Sequence, residues 1–464
     1  MKRTVITVVG KDTVGIIAKV CTYLAEHNVN ILDISQTIVQ GFFNMMMITD
    51  ANQSEKPFAD LAKGLEAAVG ASASITFLFV AIATGLSIGS SVVISQYFGA
   101  KRYGEMKTAI QTVLLASFVI ALCLMLVGIF GTDAILRFMQ TPQKIFSDAS
   151  LYLKIYFCGL VFLFLYNMLT ASFNAIGDSK SPLVFLALSS VCNIVLDLYF
   201  VTKLKMGVAG AALATDISQA ISVVVSFLWL CTRMKKMKTQ QKSRIFDLHI
   251  LEIVCNVAVP SMLQQSMVSI GIFLVQRLVN GYGEAVMAGY AAATKIDSIA
   301  ILPMVNVGNA VSTFTAQNIG GKKPERVKEG FRAGLLMSAV IGVIVTGILL
   351  VYAKVFVGLF MDSSSNQAAI ATGIEYLRVV GLFYALMGIM NTCTGVLRGA
   401  GDILWFLMVT LINLSSRVIL AYSMSGMLGA KAIWWSIPIG WGIGFAIGFV
   451  RYLSGKWQKS SLIE

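Results

Sequence analysis

Two patterns of apolar and polar positions divide the chain. Thr4–Val9 alternates apolar and polar residues as a half-buried strand does, and does not resemble a secretory signal. Val14, Ile17, Ala18, Cys21, Leu24 and Ala25 then recur at helical spacing up to Asn28. Val29–Val39 and Phe42–Thr49 are two β-branched or Met-rich runs hinged at Gln40-Gly41, and a second helix is predicted after Pro57. This β-α-β-β-α order is that of a ferredoxin-like unit without its last strand. From Ala67 onward the pattern becomes a series of long apolar stretches, near 71–97, 108–131, 150–176, 181–203, 206–231, 248–279, 285–317, 329–360, 367–397, 402–424 and 428–453. Each exceeds the ~20 residues needed to cross a bilayer. The chain therefore reads as an all-α polytopic membrane protein of eleven spans with a small N-terminal α+β segment.

Composition agrees with this division. Over 464 residues, 57% are hydrophobic and 13% charged, with a mean hydropathy of +0.78. Soluble domains average about 45–50% apolar and about 25% charged, so a soluble enzyme, a disordered chain and a nucleic-acid binder are excluded for the whole. Residues 1–66 alone carry a soluble charge density, six positive and seven negative. After Glu66 the next charge is Lys101, 34 uncharged residues later. The net charge of +13 is sorted: Lys101, Arg102, Lys107, the Arg233–Arg244 run, Lys322–Lys328 and Arg451 fall in loops of one side, against Arg137, Lys144, Lys203, Lys205 and Lys431 on the other. The cationic side is expected to be cytoplasmic, with the C-terminus on it. Eleven spans would then leave the N-terminal segment outside, where nothing in the sequence exports it. Such a conflict favours an aberrant fusion over a first segment that fails to span. Seven cysteines without a CxxC pair point to neither a disulfide framework nor a zinc site.

An internal repeat accounts for the count. Ser95-Gln96-Tyr97-Phe98-Gly99-Ala100-Lys101 aligns with Ala316-Gln317-Asn318-Ile319-Gly320-Gly321-Lys322 at an offset of 221, and Gly177-Asp178 with Gly401-Asp402 at 224. The offset holds an even number of spans, so the two bundles are parallel repeats. Shifted back by 221, the span at 249–280 falls on 28–59, which holds the predicted strands and Pro57. The halves thus have five and six spans. The first helix of the first bundle is missing, with a seam near Lys63–Ala71.

Particular segments resemble known families. Ala67-Ala68-Val69-Gly70, Gly85-Leu86-Ser87-Ile88-Gly89, Ser95–Ala100, Asn174-Ala175-Ile176-Gly177-Asp178, Gly207–Ala212 and Leu397-Arg398-Gly399-Ala400-Gly401-Asp402 together resemble the multidrug and toxic compound extrusion (MATE) family over about 67–455. The resemblance implies secondary efflux of small organic, often cationic compounds, coupled to proton or sodium entry, by alternating access between two helical lobes. Gly10-Lys11-Asp12-Thr13-Val14-Gly15-Ile16-Ile17, followed by His27-Asn28-Val29-Asn30-Ile31-Leu32-Asp33, is similar to an ACT domain, a small amino-acid-sensing fold, over about 1–64. That likeness implies an effector site bordered by Gly10, Asp12, Gly15, Asn28, Asn30 and Asp33, and pairing with a second ACT domain. The absent fourth strand makes an unliganded remnant the simpler expectation. The expected domains are a truncated ACT-like unit (1–66), a first lobe lacking its first helix (67–232), a basic cytoplasmic linker (233–247), a second lobe (248–455) and a tail (456–464).

Ionisable groups inside spans are expensive and mark function by default. Asn193 and Asp197 are four residues apart and share a helix face. In proton-coupled MATE proteins of the archaeal type, an Asn and an Asp at this spacing, with a Thr on the next helix, form a cation or proton site, and Asn193, Asp197 and Thr215 match them. The alternative is an Asp197 solvated at the span's outer end beside Lys203 and Lys205. An Asp of the missing first helix would belong to the same site, and the positions matching the acids of the sodium-coupled branch, around Gln264–Val268 and Met387–Gly388, are not acidic. Coupling should then depend on the first lobe. Lys295, Asp297 and Asp216 are candidate substrate or ion contacts, Asp216 alternatively lying at a solvated helix start. Glu375 and Arg378 are expected to pair with each other, and Pro260 and Pro303 to bend their helices.

No cofactor, phosphate loop, metal set or nucleophile pattern is found, so the chain is read as no enzyme and no ATP-driven pump. The leading function is proton- or sodium-coupled multidrug efflux from the cell membrane, impaired by the lost helix. Rival readings are a lipid-linked saccharide flippase of similar architecture, and an amino-acid-sensing ACT regulator with a membrane anchor.

Overall fold

A computed structural model describes residues 3–11, 20, 24, 29–39, 42–50, 58–138, 143–204, 206–237, 239, 241, 243–361 and 367–463. Strands β1 (Arg3–Lys11), β2 (Asn30–Val39) and β3 (Phe42–Asp50) form an antiparallel sheet in the order β1-β3-β2. A short connection makes β2 and β3 neighbours, while the longer link between β1 and β2 leaves room for β3 between them. The register runs from Arg3 opposite Asp50 to Lys11 opposite Phe42, and from Asn30 opposite Asp50 to Val39 opposite Phe42, with an irregularity between Ile31 and Asp33. This is the ferredoxin-like arrangement expected without a fourth strand, and it leaves β1 at an edge. Of the helix expected over 14–28, only Val20 and Leu24 are described, both helical and buried.

Helix α1 (Phe58–Gly99) runs unbroken for 42 residues. The expected seam at Lys63–Ala71 lies inside it. No proline separates Pro57 from Pro142, and the alanines at the seam favour helix, so nothing stops the second helix of the small domain from continuing as the first span. There follow α2 (Tyr103–Phe138), α3 (Gln143–Ala175), α4 (Lys180–Leu198) with a wide turn at Tyr199–Lys203, and α5 (Gly207–Lys236). The second repeat holds α6 (Leu248–Asn280), α7 (Glu284–Ala300), α8 (Leu302–Gly320), α9 (Pro324–Leu359), α10 (Gln367–Gly381), α11 (Tyr384–Ala400), α12 (Ile403–Leu428) and α13 (Lys431–Leu453), then a short 3-10 turn at Lys456–Lys459. Among the described residues ten segments are long and apolar enough to cross a membrane, α7 and α8 counting as one; the bent pair α10–α11 makes eleven. Their outer faces are apolar, as with Phe130 on α2 and Val351 on α9, 83% and 73% exposed. In water such faces would drive aggregation; in lipid they are the solvated surface.

Two compact units emerge. One comprises 1–87, 111–174 and 178–238; the other 88–110, 175–177 and 239–464. In the first, Phe79 of α1 packs edge-on against Phe157 of α3 at 5.4 Å, and Gly128 of α2 leaves room for the same ring. In the second, a core of Tyr290, Tyr376, Tyr384, Trp434 and Trp441 joins α7, α10, α11 and α13. Breaks in the helices lie in this unit. Pro303 stands in the first turn of α8, after α7 ends at Ala300, and the two helices run on as one span. Pro260, by contrast, sits inside an uninterrupted α6. A bend of 49° between α10 and α11 occurs without proline, after Gly381.

Candidate functional site

In the first unit, Asn193 and Asp197 lie one turn apart on α4 and are both buried, at 5% and 8% exposure. Asn193 Nδ2 donates to Thr215 Oγ1 of α5 at 3.3 Å. Of the two residues paired by spacing, Asn193 reaches the threonine, with Asp197 one turn further along α4. Asp197 is not solvated beside the turn: Lys203 is exposed while Asp197 is covered. Lys205 lies outside the described residues. Asp216 is buried rather than solvated, and it turns from its neighbour Thr215 toward α3, where its carboxylate lies over Gly159. A side chain at 159 would displace it. The structure therefore brings Asn193 and Thr215 together, and directs Asp216 to a different helix.

In the second unit, Asp297 of α7 accepts hydrogen bonds from Tyr384 Oη at 2.6 Å and from Tyr376 Oη at 3.3 Å. Lys295, two residues away, offers its backbone oxygen to Ser298, and among the described residues no ion pair joins its side chain to Asp297. The expected Glu375–Arg378 pair is replaced by Glu375 with Lys431 at 2.8 Å. A charge at the start of α13 reaches across to α10, which spacing within one helix does not reveal. Of the ACT-like effector positions, Gly10 lies on β1 opposite Phe43, and Asn30 and Asp33 on β2 opposite Asp50 and Ile48. Asp12, Gly15 and Asn28 lie outside the described residues. Among the described residues no group of three His, Cys, Asp or Glu side chains could hold a metal ion.

The repeat contains a feature that residue-by-residue reading missed. Gln96 Nε2 donates to the carbonyls of Gly399 and Ala400, at 3.2 and 3.4 Å, and Gln317 Nε2 to that of Ala175 at 2.8 Å. The offset that relates Gln96 to Gln317 is 221, and the one relating Ala175 to Gly399 is 224. Each glutamine thus caps a helix end of the other repeat, satisfying carbonyls that a helix leaves unpaired. A Cβ on Gly99 would collide with the Gln317 backbone, and one on Gly320 with that of Gln96. Even the strained backbone repeats: Lys101 and Lys322 have φ of 58° and 54°, Gly177 and Gly401 of 84° and 91°. All members of this clasp belong to the second unit. The chain end adds an unpaired element. Leu462 N donates to Gln96 Oε1 at 2.9 Å, and Arg102 Nη1 to the Ile463 carbonyl at 2.8 Å.

Comparison with known proteins decides the family. The MatE family model matches residues 66–199 and 260–423. The chain belongs to the MatE family. An ACT domain model matches residues 2–75 of the same chain. The two matches overlap inside α1, the helix that the small domain and the membrane part share. This MatE chain is 29% identical over 405 residues to the probable multidrug resistance protein YpnP of Bacillus subtilis, covering 86% of this chain and 89% of YpnP. Its N-terminal part is 62% identical over 66 residues to the UPF0237 protein BL1209.1 of Bifidobacterium longum, covering 14% of this chain and 73% of that protein. A MATE protein solved in complex with MaL6 superposes with a TM-score of 0.77 at 25% identity, over 86% of this chain and 89% of that one. As a MatE protein with this series of spans, the chain is an integral, multi-pass membrane transporter. The multidrug proteins in its family handle small organic compounds.

Proposed function

We propose that this MatE protein is a secondary antiporter that exports small organic cations from the cell, driven by proton or sodium entry. The observation that carries this reading is the buried Asn193–Thr215 contact with Asp197 one turn away, a polar cluster on α4 and α5 inside an apolar bundle. An acid at that depth is costly unless its charge is used. Asp197 is the proton or sodium carrier, and Asn193 and Thr215 are the neutral dipoles that hold the cluster. The basic loops support a cytoplasmic C-terminus. The open edge of β1 suits pairing with a second ACT sheet. A β-sheet stands where the repeat calls for a helix, so the coupling site lacks the contribution of a first helix and export is weak.

The test is uptake of ethidium into everted membrane vesicles under an imposed pH gradient or sodium gradient. The 464-residue chain is expected to give a low rate, a chain with a MatE first helix restored upstream of Ala67 a much higher one, and Asp197→Asn in the restored chain none. Robust uptake by the 464-residue chain would overturn the impairment, and unchanged uptake by Asp197→Asn the coupling role.

A further inference from the structure

The second unit holds a carboxylate that the first-lobe cluster does not explain. Asp297 sits one turn before the break between α7 and α8, and its backbone carbonyl accepts the Ile301 amide at 3.0 Å, at the end of α7. Its two carboxylate oxygens are divided between the two arms of the bent span: Oδ2 takes Tyr376 of α10, and Oδ1 takes Tyr384, the first residue of α11. One side chain therefore bridges the 49° bend between α10 and α11, the one broken span among the described residues, from the helix packed beside it. Interrupted helices at membrane depth are where transporters place ion sites.

The surroundings are aromatic and closely packed. Tyr376 and Tyr384 are 2% and 0% exposed. Tyr290 stacks on Trp434 at 5.7 Å, Tyr376 stands edge-on to both, and Tyr384 lies 6.4 Å from Trp441. The charged and titratable groups facing Asp297 are Tyr290 on its own helix, Tyr376 on α10, Tyr384 on α11 and Arg417 on α12. Arg417 lies across Gly440 of α13 and acts on Asp297 through space; among the described residues no ion pair within 4 Å joins them. Asp297 itself is only half-buried. Its negative charge is thus held by two phenol donors and a distant cation rather than locked in a salt bridge.

We propose that Asp297 is a second proton-exchange site, in which one proton from water binds a carboxylate oxygen and changes the hydrogen bonds that hold α10 to α11. On protonation an O–H bond forms at Asp297 as an O–H bond of the hydronium ion that delivers the proton breaks, leaving a water molecule. The phenol that had donated to that oxygen turns away or accepts in its place, and no other bond is made or broken. A proton fits better than a sodium ion. Both carboxylate oxygens already accept hydrogen bonds, and a metal ion needs several free oxygen ligands at once. The positive charge of Arg417 also disfavours a second fixed cation nearby. This inference rests on reading the chain as a cation-coupled exporter, but it concerns a site in the other repeat.

The experiment is an infrared difference titration of the whole chain in lipid vesicles, which detects the carbonyl band of a protonated carboxyl group without needing transport. The titrating band should be lost in Asp297→Asn and kept in part in Asp197→Asn. In Tyr384→Phe its midpoint should move to higher pH by about one unit, because the lost phenol donor had favoured the charged form. A purely structural Asp297 would leave the band unchanged on Asp297→Asn, which overturns the proposal. If Asp297→Asn does not fold, an unmoved midpoint in Tyr384→Phe overturns it equally. A midpoint that shifts when choline replaces sodium at constant ionic strength would replace the proton by sodium. Failure of the export reading shows separately, as absent ethidium uptake with the titration intact.

Discussion

The two repeats share a backbone device and differ in what surrounds it. In each, a glycine of positive φ is followed by an aspartate that pairs with an arginine at the end of the repeat's last helix: Gly177-Asp178 with Arg233, Gly401-Asp402 with Arg451. The first pair is open to water, its arginine 47% exposed. The second is enclosed, at 14% and 7% exposure and 2.6 Å, with the arginine also lying 4.9 Å from the Trp405 ring. The clasp repeats in the same way, glutamine for glutamine and glycine for glycine. The acids inside the spans do not: Asp197 lies one turn from an asparagine that bonds a threonine, while Asp297 accepts from two tyrosines. Turns and helix ends are thus set by repeat geometry, while the chemistry within the bundles is specific to each half.

The largest effect should come from the enclosed pair. Asp402→Ala leaves the largely covered Arg451 without its partner, and breaking a fully buried pair costs about 3–5 kcal/mol, which sets the upper limit here. Asp178→Ala breaks an exposed pair worth about 0–1 kcal/mol. Thermal unfolding of the detergent-solubilised variants measures the contrast. Equal losses would mean that burial does not separate the two turns.

A smaller effect tests the clasp. Gly99→Ala and Gly320→Ala each force a methyl group against opposing backbone, which typically costs about 1–3 kcal/mol, and the two should be alike. Gln96→Leu and Gln317→Leu should each cost about 1 kcal/mol, with Gln96 the more damaging because Leu462 also depends on it. Removing residues 460–464 should erase that difference and leave Gln317→Leu unaffected. A difference that survives the truncation would separate the chain end from the clasp.

Hydropathy made the spans legible, because lipid demands unbroken apolar helices. The eleven stretches read from sequence correspond to the ten apolar segments and the bent pair. Spacing placed Asn193 and Asp197 on one face, since residues four apart share it, and the family resemblance set Thr215 beside them. What could not be read was contact between elements. Nothing in one helix announces that Glu375 reaches Lys431, or that Tyr376 and Tyr384 converge on Asp297 across a bend that has no proline. The clasp was half legible: the repeat aligned Gln96 with Gln317, but only the folded chain brings Gln96 to Gly399. Across the seam the sequence changes character while the helix does not, because residues 58–99 contain no helix-breaking proline.

The smallest effect sharpens the comparison through pH. Burial raises the Asp178 carboxyl, but the Ser181 hydroxyl at 2.8 Å, the Ser181 amide at 3.1 Å and the Arg233 guanidinium at 3.0 Å outweigh it and hold the group below its ordinary range. A carboxyl held low in the folded state contributes stability that is complete above the ordinary carboxylate range and disappears as pH falls through the folded value. Asp178→Asn keeps the shape and removes the charge. Its cost should be present at neutral pH and shrink below about pH 4, where the unfolded chain's carboxylate takes up its proton first and the native one only at lower pH. The cost is small throughout, because Arg233 is nearly half exposed and water screens the pair. Unfolding midpoints of Asp178→Asn and the unsubstituted chain, compared between pH 7 and pH 3, give the answer. A gap that widens in acid would mean that Asp178 contributes as a neutral hydrogen-bonding group, and that the exposed turn is held by Ser181 rather than by its ion pair.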